Sequence, residues 1–112
     1  ELQNHAAAVK QISTILETKY HEKLRLEQLA ETAGISISQL KRIFKEQTGY
    51  SVITYLTRIR IGEAKRLIQE SNYTFTQIAE KTGFDNIYYF SRRFKEITGI
   101  TPSEYALSLK NW

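Results

Sequence analysis

Leu29-Ala30-Glu31-Thr32-Ala33-Gly34 returns as Ile78-Ala79-Glu80-Lys81-Thr82-Gly83, and Phe44-Lys45-Glu46-Gln47-Thr48-Gly49 returns as Phe94-Lys95-Glu96-Ile97-Thr98-Gly99. Such self-similarity marks a repeated structural unit. The first pair of blocks is offset by 49 positions and the second by 50, so the second copy carries one extra residue, near Asp85 or Asn86, where a turn can absorb it. Within each copy a short amphipathic segment, a glycine, and a longer segment with apolar residues three and four apart spell helix, turn, helix. In the first copy Leu26, Leu29, Ala30, Leu40, Ile43 and Phe44 are the expected core, with Gly34 in the tight turn. Their equivalents are Phe75, Ile78, Ala79, Phe90, Phe94 and Gly83.

Ser36 with Gln39, Thr74 with Gln77, and Thr101 with Glu104 have the cap and third-position side chains of capping boxes. Pro102 suits a first helical position, and Gly49 and Gly99 stand just past helix ends. Between the copies, Ser51 caps a stretch from Val52 to about Glu70 in which Ile53, Leu56, Ile59, Ala64, Leu67 and Ile68 form an apolar stripe. A helix of that length spans roughly 28 Å, close to the roughly 34 Å between successive turns of one major groove. Gly62 inside it costs about 1 kcal/mol relative to Ala, which implies either close packing by another segment or a mild bend. The expectation is an all-α fold: two helix-turn-helix subdomains joined by a long linker helix, about seven helices in total. The first unit covers 5–49, the linker 51–71 and the second unit 74–109, within a single domain 1–112.

The bulk numbers agree. With 112 residues, 41% hydrophobic, 25% charged, one Pro and five Gly, the chain is an ordinary helix-rich globular protein for which one cooperative core is the default. The absence of Cys excludes disulfides and thiolate metal sites. No apolar run approaches the roughly 18 residues of a membrane span, so a soluble, cytoplasmic protein is expected, with no membrane partner. The chain opens at Glu1 and contains no Met, which makes a fragment of a larger protein the expectation. The formal charge is +4, but its distribution says more. Between Ser36 and Arg66 stand Lys41, Arg42, Lys45, Arg58, Arg60, Lys65 and Arg66 against only Glu46 and Glu63.

A helix-turn-helix need not touch DNA, so the outward faces of the second helices decide. On the helix from Ile37 to Thr48 they offer Ser38, Gln39, Lys41, Arg42 and Lys45. Arg42 can pair with guanine O6 and N7, worth about 1 to 3 kcal/mol of discrimination, while Ser38, Gln39 and Lys41 can meet bases or backbone. Lys45, nearer the helix end, suits phosphate. On the helix from Asn86 to Ile97 the outward set is Ile87, Tyr88, Ser91, Arg92 and Lys95. Ile87 and Tyr88 can pack on thymine methyls or sugars, or a tyrosine can pack on a neighbouring helix. Tyr89 suits the core better. Arg92 is assigned to bases, and Arg93, one position round the helix, to solvent, a carboxylate or phosphate. Lys45, Arg58, Arg60, Arg93 and Lys95 form the phosphate set, which fixes register while the base contacts specify.

The chain resembles the DNA-binding domain of AraC/XylS-type transcription regulators from about Val9 to Tyr105. The resemblance rests on the two unequal copies and on Arg60-Ile61-Gly62-Glu63-Ala64-Lys65-Arg66-Leu67-Ile68. Above all it rests on Gly83-Phe84-Asp85-Asn86, Tyr89-Phe90-Ser91-Arg92-Arg93-Phe94-Lys95 and Gly99-Ile100-Thr101-Pro102-Ser103-Glu104-Tyr105. It implies seven helices and two recognition helices entering adjacent major-groove segments of one asymmetric site. It also implies a separate sensing or dimerising domain in the same polypeptide, which the missing Met fits. The base-reading positions it implies fall on Ser38, Lys41 and Arg42, then on Ile87, Tyr88, Ser91 and Arg92. Small Ser38 departs from members with a large aromatic there.

The expected function is sequence-specific binding of double-stranded DNA in a transcription regulator, an activator that would also contact RNA polymerase. The alternative is a helical adaptor that contacts RNA polymerase or a partner domain without DNA. Catalysis is not expected. His5 and His21 lack the Cys or spaced carboxylates of a metal site, and no Gly-rich phosphate loop or nucleophile motif occurs. RNA is disfavoured because the aromatics fall mainly at core spacing. No cofactor and no metal is implied.

Overall fold

A computed structural model describes residues 2–110. Seven helices occur among them: α1 (Leu2–Lys19), α2 (Leu26–Ala33), α3 (Ile37–Thr48), α4 (Val52–Glu70), α5 (Phe75–Lys81), α6 (Ile87–Thr98) and α7 (Pro102–Ser108). The fold is all-α, as expected. Contacts divide the chain into two compact units, Glu1–Leu56 and Thr57–Trp112, with the boundary inside α4. Buried hydrophobic side chains occur in both units, and those of the second form one core cluster that includes the C-terminal part of α4.

In the first unit α1 supplies Ala8, Val9, Ile12 and Leu16, spaced along one helical face. Leu29 and Ala30 of α2, Leu40, Ile43 and Phe44 of α3, and Val52 and Leu56 of α4 are buried as well, and α1, α2 and α3 touch one another. Leu26 is only half-buried. The Phe44 ring meets Tyr55 edge-on at 5.1 Å. In the second unit Ile61, Ala64, Leu67 and Ile68 of α4 join Ile78, Ala79, Phe84, Phe90 and Phe94, with Phe75 half-buried against them. Ring contacts at 5.3 Å (Phe84–Phe90) and 5.8 Å (Phe90–Phe94) run through this otherwise aliphatic core.

Two linker expectations are corrected. Ile53 is 49% exposed, because Val52 and Leu56, one turn apart, take the buried positions and Ile53 lies about 100° round the helix from Val52. Ile61, absent from the expected stripe, is buried, one turn after the buried Thr57. Gly62 is exposed and an added Cβ would meet nothing within 4 Å, so close packing does not explain it.

The caps set the helix starts. Ser36, Thr74 and Thr101 each complete a capping box with Gln39, Gln77 and Glu104. Ser51 caps α4 through an acceptor bond from the Thr54 N–H at 3.1 Å, and Asn86 caps α6 through one from the Tyr89 N–H at 2.8 Å. The α2–α3 turn needs Gly34, whose φ of 72° disfavours a side chain.

The extra residue of the second copy is located by its hydrogen bonds. The Ile35 N–H reaches Ala30 O at 3.0 Å and the Phe84 N–H reaches Ala79 O at 2.9 Å. Phe84 therefore stands where Ile35 stands, and Asp85 is the insertion before the next cap. The helix ends repeat as well. Thr48 and Thr98 donate to Phe44 O at 2.7 Å and Phe94 O at 2.8 Å, and accept from the N–H groups of Tyr50 and Ile100.

Candidate nucleic-acid interface

On α3 the core stripe of Leu40, Ile43 and Phe44 leaves Ser38, Gln39, Lys41, Arg42 and Lys45 exposed. The capping box uses part of Gln39: its Oε1 accepts from the Ser36 N–H at 3.2 Å, leaving the amide N–H groups as donors toward a ligand. Arg42 pairs with Glu46 at 3.1 Å, and both side chains are more than half exposed. Such a surface pair contributes about 0–1 kcal/mol, little enough for a guanine edge or a phosphate to replace the carboxylate.

On α6 the outward stripe is Tyr88, Arg92 and Lys95, with Ser91 half-buried beside it. Tyr88 is 83% exposed, the most exposed large hydrophobic side chain among the described residues. Ile87, expected to face outward, is half-buried against the second-unit core. It stands three residues before Phe90 and seven before Phe94, on the core stripe, and that overrides its place at the helix start. Tyr89 joins the core edge, as expected, and carries Arg92, whose guanidinium carbon lies 5.3 Å from its ring centroid. Arg93 points elsewhere: only 20% exposed, it pairs with Glu96 at 2.7 Å. Of the partners open to it from sequence, the carboxylate is the one present.

Aligning α3 and α6 at the 50-residue offset pairs Ser38 with Tyr88, Lys41 with Ser91, Arg42 with Arg92 and Lys45 with Lys95. The two cations that suit guanine and phosphate recur, and the positions between them differ. A common docking chemistry with unequal base preferences is what this arrangement can supply.

The positive excess along α4 is largely committed within the protein. Arg66 forms ion pairs with Glu63 and Glu70. Lys65 lies 5.5 Å from the Tyr105 ring centroid. Arg60, placed with the phosphate contacts by the sequence, is half-buried with its guanidinium 5.9 Å from the Phe84 centroid. Burial pushes its pKa below the ordinary arginine value, opposed by the charge of Asp85. Arg58 is exposed on α4. Sequence reasoning missed the α6 support of Arg92; the three-residue spacing of Tyr89 and Arg92 is its only trace in the sequence. No helix is long and apolar enough to cross a membrane, and no group of three or more His, Cys, Asp or Glu that could hold a metal occurs among the described residues.

Two capped helices that turn cationic faces outward, each after a short helix and a tight turn, define a double helix-turn-helix DNA-binding domain. A helix-turn-helix domain family model matches residues 29–108, and the chain belongs to this family, as the AraC/XylS-type DNA-binding domain of transcription regulators. It is 40% identical over 86 residues to the HTH-type transcriptional activator Btr of Bacillus subtilis, covering 77% of this chain and 16% of Btr. A probable AraC family transcriptional regulator from Rhodopseudomonas palustris superposes with a TM-score of 0.82 at 28% identity, covering 91% of this chain and 96% of that one. The DNA-binding domain of AdpA, solved in complex with a target DNA, shares the fold at a TM-score of 0.85 and 24% identity over 91% of this chain and 92% of that one. The chain spans less than half the length of the curated relatives Btr and YobQ of Bacillus subtilis, 16% and 44% respectively.

Proposed function

We propose that the domain reads one asymmetric duplex site by inserting α3 and α6 into adjacent major-groove segments. Ser38, Gln39, Lys41 and Arg42 meet base edges from α3, and Tyr88, Ser91 and Arg92 do so from α6, with Ile87 at the edge of that contact. Lys45, Lys95 and Arg58 hold phosphates, while Arg60 and Arg93 act first inside their unit and reach phosphate only from its rim. The observation that carries this reading is the recurrence of exposed Arg42 and Lys45 as exposed Arg92 and Lys95 at one offset on two separately capped helices. Arginine bidentate to guanine is the commonest specific contact in the major groove, and lysines toward the helix ends suit phosphate. The DNA complex of AdpA supports the use of this fold on duplex DNA. The role is binding, not catalysis, in the cytoplasm. In the parent polypeptide a sensing or dimerising domain sets when the site is read, and RNA polymerase is the further partner of an activator.

Selection of bound duplexes from a random library, followed by affinity against salt, tests this. The expected result is an enriched asymmetric site with two preferred clusters about one helical turn apart and a steep loss of affinity with salt. No binding at low salt would overturn it in favour of a protein adaptor.

A further inference from the structure

Four side chains of the second unit form a run of cation and ring contacts. The Arg60 guanidinium lies 5.9 Å from the Phe84 ring centroid, Phe84 lies 5.9 Å from Tyr89 at a tilt of 58°, and Tyr89 lies 5.3 Å from the Arg92 guanidinium. Phe84 is buried, Tyr89 is half-buried against the core, and Arg92 is exposed. The Tyr89 N–H is bonded to the Asn86 cap at 2.8 Å, so backbone and ring are both held. The corresponding position in α3 is Gln39, engaged in its capping box, and Arg42 rests on the carboxylate of Glu46 instead. The two arginines that share a place in the repeat are thus presented differently.

We propose that Tyr89 is a positioning residue for DNA recognition, holding the Arg92 guanidinium over its core-anchored ring so that α6 presents it already ordered to a guanine edge. This rests on the base-reading role of Arg92. A guanidinium within about 6 Å of a ring face is attracted by the ring quadrupole. The ring accepts no directed hydrogen bond from the fork, so the donors that a carboxylate would occupy stay available to O6 and N7. Fixing a flexible side chain before binding removes part of the ordering cost of recognition.

The test is a double-mutant cycle on the selected duplex and on duplexes substituted one base pair at a time. Tyr89→Leu is expected to weaken binding about two- to fivefold, the range of an exposed cation–π contact. The loss should concentrate at the base pair to which Arg92→Ala becomes indifferent, Tyr89→Phe should retain full discrimination, and Tyr89→Leu should add nothing to Arg92→Ala. A loss spread evenly over all duplexes, or one that persists in the Arg92→Ala background, overturns the positioning role while leaving Arg92 as a reader. An Arg92→Ala protein with unchanged sequence preference overturns the reading of Arg92 itself. Should Tyr89→Leu fail to fold, proton NMR of the unbound chain decides. Ring-current displacement of the Arg92 δ-methylene signals supports the stack, and unshifted signals overturn it.

Discussion

Gln69 donates a hydrogen bond of 2.7 Å from its amide nitrogen to the hydroxyl of Tyr105, tying α7 to α4 inside the second unit. The first unit has a counterpart, in which the Tyr55 hydroxyl donates to Glu17 Oε2 at 2.9 Å and ties α4 to α1. Each repeat is thus closed onto α4 by one tyrosine hydroxyl. Tyr105→Phe keeps the ring beside Phe94 and Lys65 and removes only the bond. It is expected to cost about 0.5–1.5 kcal/mol, measured by urea unfolding with an unchanged denaturant slope.

Arg42 and Lys45 lie one turn apart on α3 but are expected to fail differently. Arg42→Ala should relax preference at a single base pair, costing about 1–3 kcal/mol there. Lys45→Ala should weaken all duplexes about equally and reduce the salt slope by roughly one unit. Competition binding at several salt concentrations separates the two, and the reverse pattern would exchange their roles.

Ser71, just past the end of α4, has a φ of 60°, the only positive value among the described non-glycine residues. An L side chain in the left-handed region costs about 1–2 kcal/mol, part of which glycine returns as chain entropy in the unfolded state. Ser71→Gly is expected to stabilise the fold by up to about 1 kcal/mol, read as a rise of a few degrees in Tm.

Of the three capping boxes, only that of α7 contains a titratable side chain. The Glu104 carboxyl is held below the ordinary glutamate range, first by its bond from the Thr101 N–H and then by the Thr101 side chain. A depressed folded value contributes stability that is present above the unfolded carboxyl pKa and lost as pH falls through the folded one. Glu104→Gln keeps the geometry, as Gln39 and Gln77 do in the other boxes. It should therefore remove the acid-side change in α7 amide shifts seen by NMR, while leaving α3 and α5 unaltered.

The elements legible in the sequence are those fixed locally. A cap and its third residue lie within one turn of chain, so the starts of α3, α5 and α7 follow from Ser36, Thr74 and Thr101, and the repeat exposes the core at Phe44 and Phe94. Burial decided by distant neighbours is less legible. Ile53 and Ile61 are equally apolar on paper, and only the packing of α4 against each unit exposes one and buries the other. Ile87 opens α6 like a contact residue, but the core stripe through Phe90 and Phe94 claims it. Arg66 counts toward the basic excess in one dimension, whereas Glu63 and Glu70 neutralise it a turn away on either side. The outward faces carrying Arg42 and Arg92 could be read because they are the complement of a strong apolar stripe. The Arg60–Phe84–Tyr89–Arg92 run could not, since it depends on where the turn at Phe84 brings its ring.

The boundary between the compact units falls between Leu56 and Thr57, within a continuous helix and not in a connecting loop. Cutting the gene at either natural-looking joint, Ser51 or Ser71, would strip one repeat of residues that its core requires: Val52 and Leu56 for the first, Ile61, Ala64, Leu67 and Ile68 for the second. The duplication visible in the letters is therefore not interchangeable at those joints. A hybrid regulator assembled from halves of two such domains should be spliced inside the linker helix, with its register preserved, if both halves are to keep their cores.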